Sequence, residues 1–237
     1  MPRTEHPQRS APDKSVPARR KTSVGPDAQE RGLRRLPAQA RGQLTFERLL
    51  ATAANLLETE GVEGLTTNRI AAEAQVNIAS LYKYFSNKHA ILSALFERHN
   101  EQRLLAVQGL MEELGQSTDW PRVIDRTIDK LAQARRSTPG SMALRRAMRS
   151  SRELAEIDQQ ANAAASVWVG EQVQQLTGLP ARRAQCVARM LIESEVALLD
   201  WWETPEVDRS AEVLRETKAL LKAYLGLYAP ADSDGPA

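Results

Sequence analysis

Apolar positions recur at three- and four-residue spacing from about residue 45 almost to residue 228, whereas residues 1–37 show no such period. In the first repeating stretch the apolar residues share one helical stripe: Phe46, Leu49, Leu50, Ala53, Leu56 and Leu57. Thr45 is the candidate N-cap of this helix, and Gly61 is expected to end it. No stretch has the two-residue alternation of a half-buried strand, so the pattern predicts an all-α protein.

Eight further helices follow from the same period and from the capping and breaking residues between them. Their predicted ranges are 67–74, 78–85, 87–114, 120–136, 141–149, 152–177, 181–202 and 208–228. Ser86 is the candidate N-cap of the 87–114 helix, and Pro121 suits the first turn of the 120–136 helix. Thr138-Pro139-Gly140 and Pro205 mark interruptions.

Composition narrows the class of protein. The 237 residues include one cysteine, Cys186, so no internal disulfide can form and a reducing cytoplasm is expected. Only three histidines occur, and no cysteine–histidine cluster exists, so neither a metal site nor a cofactor is expected. No apolar run reaches the roughly 18 residues of a membrane span, and no secretory signal is visible at the N-terminus.

Charge is distributed unevenly. Residues 1–42 carry ten Lys/Arg and four Asp/Glu, a net charge of +6, which leaves −4 for the rest of the chain. Six of the twelve prolines also fall in residues 1–37. We therefore predict a disordered basic arm over residues 1–42, with Arg34, Arg35 and Arg41 close enough to the first helix to reach the DNA minor groove. A flexible tail is predicted for residues 230–237.

The stretch 65–88, LTTNRIAAEAQVNIASLYKYFSNK, contains two short helical patterns joined by a tight turn. Thr66 is the N-cap of the first, and Leu65 can pack on Ile70 as a hydrophobic staple. Asn77 and Val76 repeat the arrangement eleven residues later, with Leu81 as the staple partner. Two capped helices at this spacing predict a helix-turn-helix.

The second helix of this pair is expected to bury Leu81 and Phe85, which share one face at a spacing of four residues. Its remaining face carries small, hydroxyl-bearing and basic side chains and no acid: Ile78, Ala79, Ser80, Tyr82, Lys83 and Tyr84. A short helix with such a face can enter a major groove about 12 Å wide.

Residues 61–92 resemble the DNA-binding signature of the TetR family of bacterial transcription regulators. The residues that carry the resemblance are Gly61, Thr66, Thr67, Ile70, Ala71, Ala74, Val76, Leu81, Tyr82, Phe85, Lys88 and Leu92. It extends from about residue 43 to about residue 103. Two positions depart from the family pattern: Gln75 replaces the usual turn glycine, and Asn77 replaces the usual serine cap. A positive φ at Gln75 would cost about 1 kcal/mol.

The resemblance implies roles for the matching residues. Phosphate contacts are implied for Thr67, Ser80, Tyr82, Tyr84 and Lys88, and base-edge contacts for Ile78, Ala79 and Lys83. It also implies an organisation: a three-helix DNA-binding domain over residues 43–103, then a helical bundle over residues 104–229 for effector binding and dimerisation.

Candidates for the bundle come from composition. The predicted effector-pocket residues are the large apolar side chains and one acid, namely Trp120, Met142, Met148, Trp168, Met190, Glu193 and Trp201. The predicted dimer-interface residues lie on the apolar stripes of the last two helices: Val187, Leu191, Leu198, Leu214, Leu221 and Tyr224. The basic residues Arg145, Arg146, Arg149 and Arg152 are interpreted as a solvated helix face.

We therefore expect a cytoplasmic homodimeric regulator, a repressor rather than an activator by the resemblance, that binds a palindromic operator in double-stranded DNA and responds to a small-molecule effector. Two alternatives stay open: an effector-independent architectural DNA-binding protein, and an all-α enzyme or binding module on a related scaffold. The second is weakened because no glycine-rich phosphate loop, HExxH or GxSxG motif occurs.

Overall fold

The structure is a computed structural model, and it describes residues 40–204, 206–207 and 210–230. Nearly all of the predicted basic arm and of the predicted C-terminal tail lies outside these residues. Within them the backbone forms nine helices and no strand, which confirms the all-α prediction. The helices, renumbered in chain order, are α1 Ala40–Gly64, α2 Thr67–Glu73, α3 Ile78–Leu81, α4 Lys88–Leu114, α5 Trp120–Ser137, α6 Ser141–Met148, α7 Arg152–Thr177, α8 Ala181–Trp202 and α9 Ala211–Gly226.

Three predicted helix starts need correction. The first helix begins at Ala40, so Thr45 is not its cap: the Thr45 hydroxyl donates to the Arg41 carbonyl within the helix, at 3.1 Å. The cap of α4 is Asn87 rather than Ser86, because the Asn87 side chain reaches the Ala90 N–H at 2.9 Å. The last helix begins after Ser210; its predicted start at residue 208 lies outside the described residues.

Two apolar cores meet along α4. The first core joins α1, α2, α3 and the first half of α4, and it includes Phe46, Leu49, Ile70, Leu81, Phe85 and Phe96. The second core joins the other half of α4 with α5, α7, α8 and α9, and it includes Val107, Leu114, Ile128, Val173, Leu199 and Trp202. Because α4 contributes to both cores, its position is shared by the two halves of the chain.

Helix α6 and the start of α7 do not fit a simple division at residue 103, since Leu154 and Ile157 of α7 also belong to the first core. Residues Leu144, Ala147 and Met148 of α6 belong to the first core, although they follow α5 in the chain. The turn before α6 docks closely on α1: Gly140 has a φ of 71°, and a Cβ there would lie 2.8 Å from the Ala54 carbonyl oxygen. Only glycine fits both requirements, so this turn fixes α6 on the N-terminal helices.

The candidate nucleic-acid interface and the inner cavity

The α2–α3 pair is built as two capped helices. The Thr66 hydroxyl accepts from the Arg69 N–H at 3.2 Å, and the Asn77 side chain accepts from the Ala79 N–H at 2.8 Å, so both predicted caps are confirmed. Leu65, Ile70 and Leu81 are completely buried. Helical hydrogen bonding continues past the end of α3, since the Phe85 N–H donates to the Leu81 carbonyl at 3.0 Å.

The turn between the helices passes through Gln75, whose φ is 52°. It is the only non-glycine residue with positive φ among the described residues. The turn is closed by two backbone hydrogen bonds, from Gln75 to the Ala72 carbonyl at 3.0 Å and from Val76 to the Ala71 carbonyl at 2.9 Å. The left-handed backbone expected at this position is therefore present, in a residue that carries a Cβ.

The outer face of the pair brings several predicted contact residues together. Ala79, Tyr82 and Lys83 are exposed, and Ser80 is half-buried. The Thr67 and Tyr82 hydroxyls lie 3.1 Å apart, within hydrogen-bonding distance, which joins the start of α2 to the residue after α3. Two hydroxyls that the family resemblance assigns to phosphates thus form one polar spot.

Two predicted outward-facing residues turn partly inward. The Tyr84 ring packs edge-on against Phe46, with centroids 5.7 Å apart, and its hydroxyl donates to the Gly42 carbonyl at 3.4 Å. Ile78 is also half-buried and packs on the first core. The prediction that both side chains point outward is therefore wrong for the parts of Ile78 and Tyr84 that pack on the first core. Their DNA contacts stay predictions.

Two basic residues flank this face. Lys88, in the first turn of α4, donates to the Val62 carbonyl at 3.3 Å. That carbonyl lies beyond Gly61, where the regular part of α1 ends with a φ of 70° and a ψ of −168°. Arg41 is exposed in the first turn of α1, so it belongs to the helix rather than to a leader before it.

The second core contains a partly open cavity of about 90 Å³ between α4, α5, α7, α8 and α9. Its walls are mainly apolar, and they include Leu104, Met111, Ile128, Trp168, Val169 and Leu191. Of the predicted pocket residues, only Trp168 lines this cavity. An apolar chamber inside a helical bundle is a common form of small-molecule site.

The other predicted pocket residues lie elsewhere. Trp120 is buried in the second core, where its indole N–H donates to the Pro230 carbonyl at 3.4 Å, and Met148 belongs to the first core. The remaining ones, Met142, Met190, Glu193 and Trp201, do not line the cavity. On α8 the reason is helical phase: Met190 and Trp201 are 52% and 54% exposed, and Glu193 pairs with Arg189 at 2.5 Å on the outer side.

Two charged residues of the cavity were absent from the predicted set. Arg103 of α4 and Glu195 of α8 both line it, and an Arg103 nitrogen lies 3.4 Å from a Glu195 carboxylate oxygen. Both side chains are largely buried, and burial lowers the pKa of Arg103 although Glu195 opposes that shift. The signal that could have found this pair was Glu195 itself, an acid on the otherwise apolar inner stripe of α8.

A network of charges adjoins the Arg103–Glu195 pair. Asp200 of α8 accepts from Arg135 of α5 at 2.6 Å and from Arg145 of α6 at 3.2 Å, and it also pairs with Arg149. Arg145 donates to Asp158 of α7 at 2.7 Å. The interpretation of the basic residues of α6 as a solvated face was therefore wrong for Arg145. Burial alone would lower the pKa of Arg145, but Asp200 and Asp158 outweigh it and hold the pKa above its ordinary value.

His99 lies beside this network on α4. Burial, and then the positive charges of Arg135, Arg103 and Arg145, lower the pKa of His99 to about 4. The imidazole is therefore neutral at physiological pH, so it adds no further positive charge beside these three arginines. No group of three or more metal-ligating side chains occurs in residues 40–204, 206–207 and 210–230.

The predicted dimer residues divide into two groups. Val187, Leu191 and Leu221 are buried in the second core of their own chain, so their assignment to an interface was wrong. Leu198, Leu214 and Tyr224 are half-buried and stay predictions. The large apolar side chains that α8 and α9 expose are instead Met190, Trp201 and Leu220, with Leu227 just after α9. The exposed face of α8 carries large apolar side chains among its charged ones, so the apolar period alone did not identify the face that lies outside the core.

These features define an all-α helix-turn-helix protein with a cavity-bearing helical bundle. The family model described as "Bacterial regulatory proteins, tetR family" matches residues 49–95, and that described as "Tetracyclin repressor-like, C-terminal domain" matches residues 119–225. The chain belongs to the TetR family.

The relatives are similar mainly over the N-terminal unit. The tetracycline repressor protein class C of Escherichia coli is 46% identical over 55 residues, which cover 23% of this chain and 25% of that protein. The chain thus spans about a quarter of that relative's length. A TetR-family transcriptional regulator from Streptomyces coelicolor has 23% identity and a TM-score of 0.59, covering 78% of this chain and 99% of that one. The SmeT–triclosan complex has 19% identity and a TM-score of 0.58, covering 82% and 98%.

None of the helices in the described part of the chain is both long enough and apolar enough to cross a membrane.

Proposed function

We propose that this protein is a cytoplasmic, homodimeric transcriptional repressor that binds a palindromic operator and is released by a small-molecule effector. The observation that carries the proposal is the outer face of the α2–α3 pair. It presents Ala79, Tyr82 and Lys83 to solvent beside the linked hydroxyls of Thr67 and Tyr82, and residues 77–84 contain no acid. Family membership adds support, since two relatives carry the word repressor in their names.

The contacts would divide into two kinds. Thr67, Ser80, Tyr82 and Lys88 would bind phosphates, which positions the unit without reading sequence. Ala79 and Lys83, with the exposed part of Ile78, would face base edges in the major groove. Tyr84 would contribute indirectly, because its ring and hydroxyl hold the first turn of α1 against the unit.

Dimerisation would use the exposed apolar residues of the last two helices. Met190 and Trp201 on α8, and Leu220 on α9 with Leu227 beyond it, would each lose a large exposed apolar surface in a two-fold interface. Such an interface would place two α3 helices about 34–36 Å apart, the spacing of successive major grooves, and so would require a palindromic operator.

The cavity of about 90 Å³ in the second core would hold the effector. A neighbouring structure of the same fold is a complex of SmeT with triclosan. An effector that binds more tightly to one arrangement of the two α2–α3 pairs in the dimer would shift the population toward that arrangement. The change in operator affinity would be set by the difference in effector affinity between the two arrangements. The cavity is the observation that favours this reading over an architectural DNA-binding protein without effector.

The test is selection of binding sequences from a random DNA pool, followed by fluorescence anisotropy with the selected site. Wild type is expected to select a palindrome. Lys83→Ala is expected to relax base preference at one position of each half-site, by about 1–3 kcal/mol of discrimination. Lys130→Ala, at an exposed position of α5, is the matched control and should bind the selected site as wild type does. Selection of no sequence at low salt would refute the proposal.

A further inference from the structure

One polar atom in the wall of the cavity has no partner. Among the wall residues, the Thr127 hydroxyl donates to the Val123 carbonyl at 2.8 Å. Arg103 donates to the Asn100 side chain at 3.1 Å and to Oε2 of Glu195 at 3.4 Å. By contrast, Oε1 of Glu195 is buried and has no hydrogen-bond partner among the described residues.

This atom defines what a ligand must supply. The Glu195 side chain is only 8% exposed, so leaving this oxygen without a donor costs free energy. An ionised carboxylate can only accept, and therefore the site is completed by a donor and not by an acceptor. The existing contact to Arg103 is long for a charge-assisted hydrogen bond, which is typically about 2.7–2.9 Å.

The dimensions of the cavity limit the rest of the ligand. Its volume of about 90 Å³ is below that of the roughly 150 Å³ apolar cavity that accommodates benzene in another protein, so the apolar body inside the cavity is no larger than one ring. Leu104, Ala165 and Trp168 also line an outer groove of about 460 Å³, which provides a route to solvent and room for a longer tail.

The outer groove is acidic. Glu97 and Glu101 line it, and none of its described lining residues is basic. A cleft lined by one sign of charge raises the local concentration of ligands of the opposite sign. The approach to the cavity and the unpartnered oxygen within it therefore favour the same ligand charge.

We propose that the effector is a small apolar amine, whose ring-sized body fills the cavity and whose protonated amino group donates to Oε1 of Glu195. This assignment rests on the proposed function, because it names the ligand class of the effector cavity. Either donor would make a charge-assisted hydrogen bond to the carboxylate, but only the ammonium adds the attraction of opposite charges, which is stronger in a buried site than in water. An anionic ligand could pair with Arg103, but it would meet repulsion from Glu195 and from the two carboxylates of the groove.

The first experiment uses the full chain and three probes with similar bodies: 2-phenylethylamine, 2-phenylethanol and phenylacetate. Dissociation constants are measured by isothermal titration calorimetry near pH 7. The amine is expected to bind at least about tenfold more tightly than the alcohol, and phenylacetate more weakly than both. Equal affinities for amine and alcohol, or tightest binding of phenylacetate, would overturn the amine assignment.

The second experiment tests whether the probe binds in the cavity. Glu195→Gln, which keeps the side-chain shape, is expected to weaken amine binding about tenfold and to change alcohol binding by less than about threefold. Glu193→Gln is the matched control, because that carboxylate lies outside the cavity, where it pairs with Arg189 and accepts from the Asn162 side chain. Ala165→Leu, which fills the cavity, should weaken all probes. Amine binding that survives both cavity variants would overturn the proposal.

Failure of this inference is distinguishable from failure of the proposed function. Operator binding by the same protein preparations is measured by anisotropy. Retained operator binding with no preference for the amine overturns only the ligand assignment. If Glu195→Gln does not fold, the wild-type probe series still decides, since the ranking of amine, alcohol and carboxylate requires no variant.

Discussion

Replacing Asp200 by Asn should destabilise the protein strongly, because this carboxylate joins three helices. Asp200 is 9% exposed and accepts from Arg135, which is 4% exposed, and from Arg145, which is 13% exposed. Removing one partner of a buried ion pair typically costs about 3–5 kcal/mol. In the variant each arginine would still have one carboxylate partner: Arg135 pairs with Glu203 at 3.1 Å, and Arg145 pairs with Asp158 at 2.7 Å. We therefore expect a loss of about 2–3 kcal/mol in the free energy of unfolding.

Thermal and urea unfolding at a fixed protein concentration would measure this loss. For a chain of this size the expected fall in Tm is about 5–10 °C. Asp129→Asn is the matched control, because Asp129 pairs with Lys218 at 2.6 Å on the surface and is 61% exposed. Its effect should stay within about 0.5 kcal/mol. An Asp200→Asn effect as small as that of the control would refute the reasoning.

The dependence on pH tests the cause. Burial raises the pKa of Asp200, but Arg135 and Arg145 outweigh that effect and hold the pKa below its ordinary value. Such a carboxylate contributes stability that is fully present above the unfolded-state pKa of about 3.9 and is lost as the pH falls through the folded-state pKa. The difference between wild type and Asp200→Asn should therefore be constant near neutral pH and shrink below about pH 4. A difference that grows in acid would contradict an ionised Asp200.

Three further outcomes are expected. Gln75→Gly should raise the free energy of unfolding in urea by about 1 kcal/mol, because glycine adopts the φ of 52° without a Cβ. Gln133→Gly, at an exposed position of α5, should lower it by a similar amount. Tyr82→Phe should weaken operator binding at all sequences in anisotropy titrations, since it removes the hydroxyl that lies 3.1 Å from Thr67; unchanged affinity would exclude that spot from the contact. Trp201→Glu should yield monomers in sedimentation with an unchanged helical spectrum, and a persisting dimer would place the interface elsewhere.

Local signals predicted the helices well because caps and turns depend on neighbouring residues. Thr66 and Asn77 cap as expected, and Gln75 has the left-handed backbone that its departure from the family pattern indicated. The exceptions were also local: Asn87 competes with Ser86 for the same cap, and it succeeds because its side chain reaches the Ala90 N–H.

The composition of the cavity could not be predicted in the same way. Arg103 and Glu195 are 92 residues apart, and Arg145 and Asp200 are 55 apart, so their pairing depends on how the helices pack. On α8 the exposed face also carries the apolar side chains Met190 and Trp201, and it is contact with α7 that buries the opposite face. That contact is close, since a Cβ at Gly170 would lie 3.0 Å from the Cα of Gln185.

The placement of α6 explains how the second core can act on the first. Leu144, Ala147 and Met148 fix one face of α6 in the first core, while Arg145 and Arg149 on its other face bind Asp200 of α8. Packed cores resist gradual deformation. A shift of α8 relative to α4 would therefore have one of two results. It would break the Asp200 contacts, or it would move α6 together with α1 and the α2–α3 pair. Ligands that alter the spacing of α4 and α8 would act through the same contacts. Loss of Asp200 should therefore reduce the change in operator affinity that a ligand causes more than it reduces the affinity of the protein for that ligand.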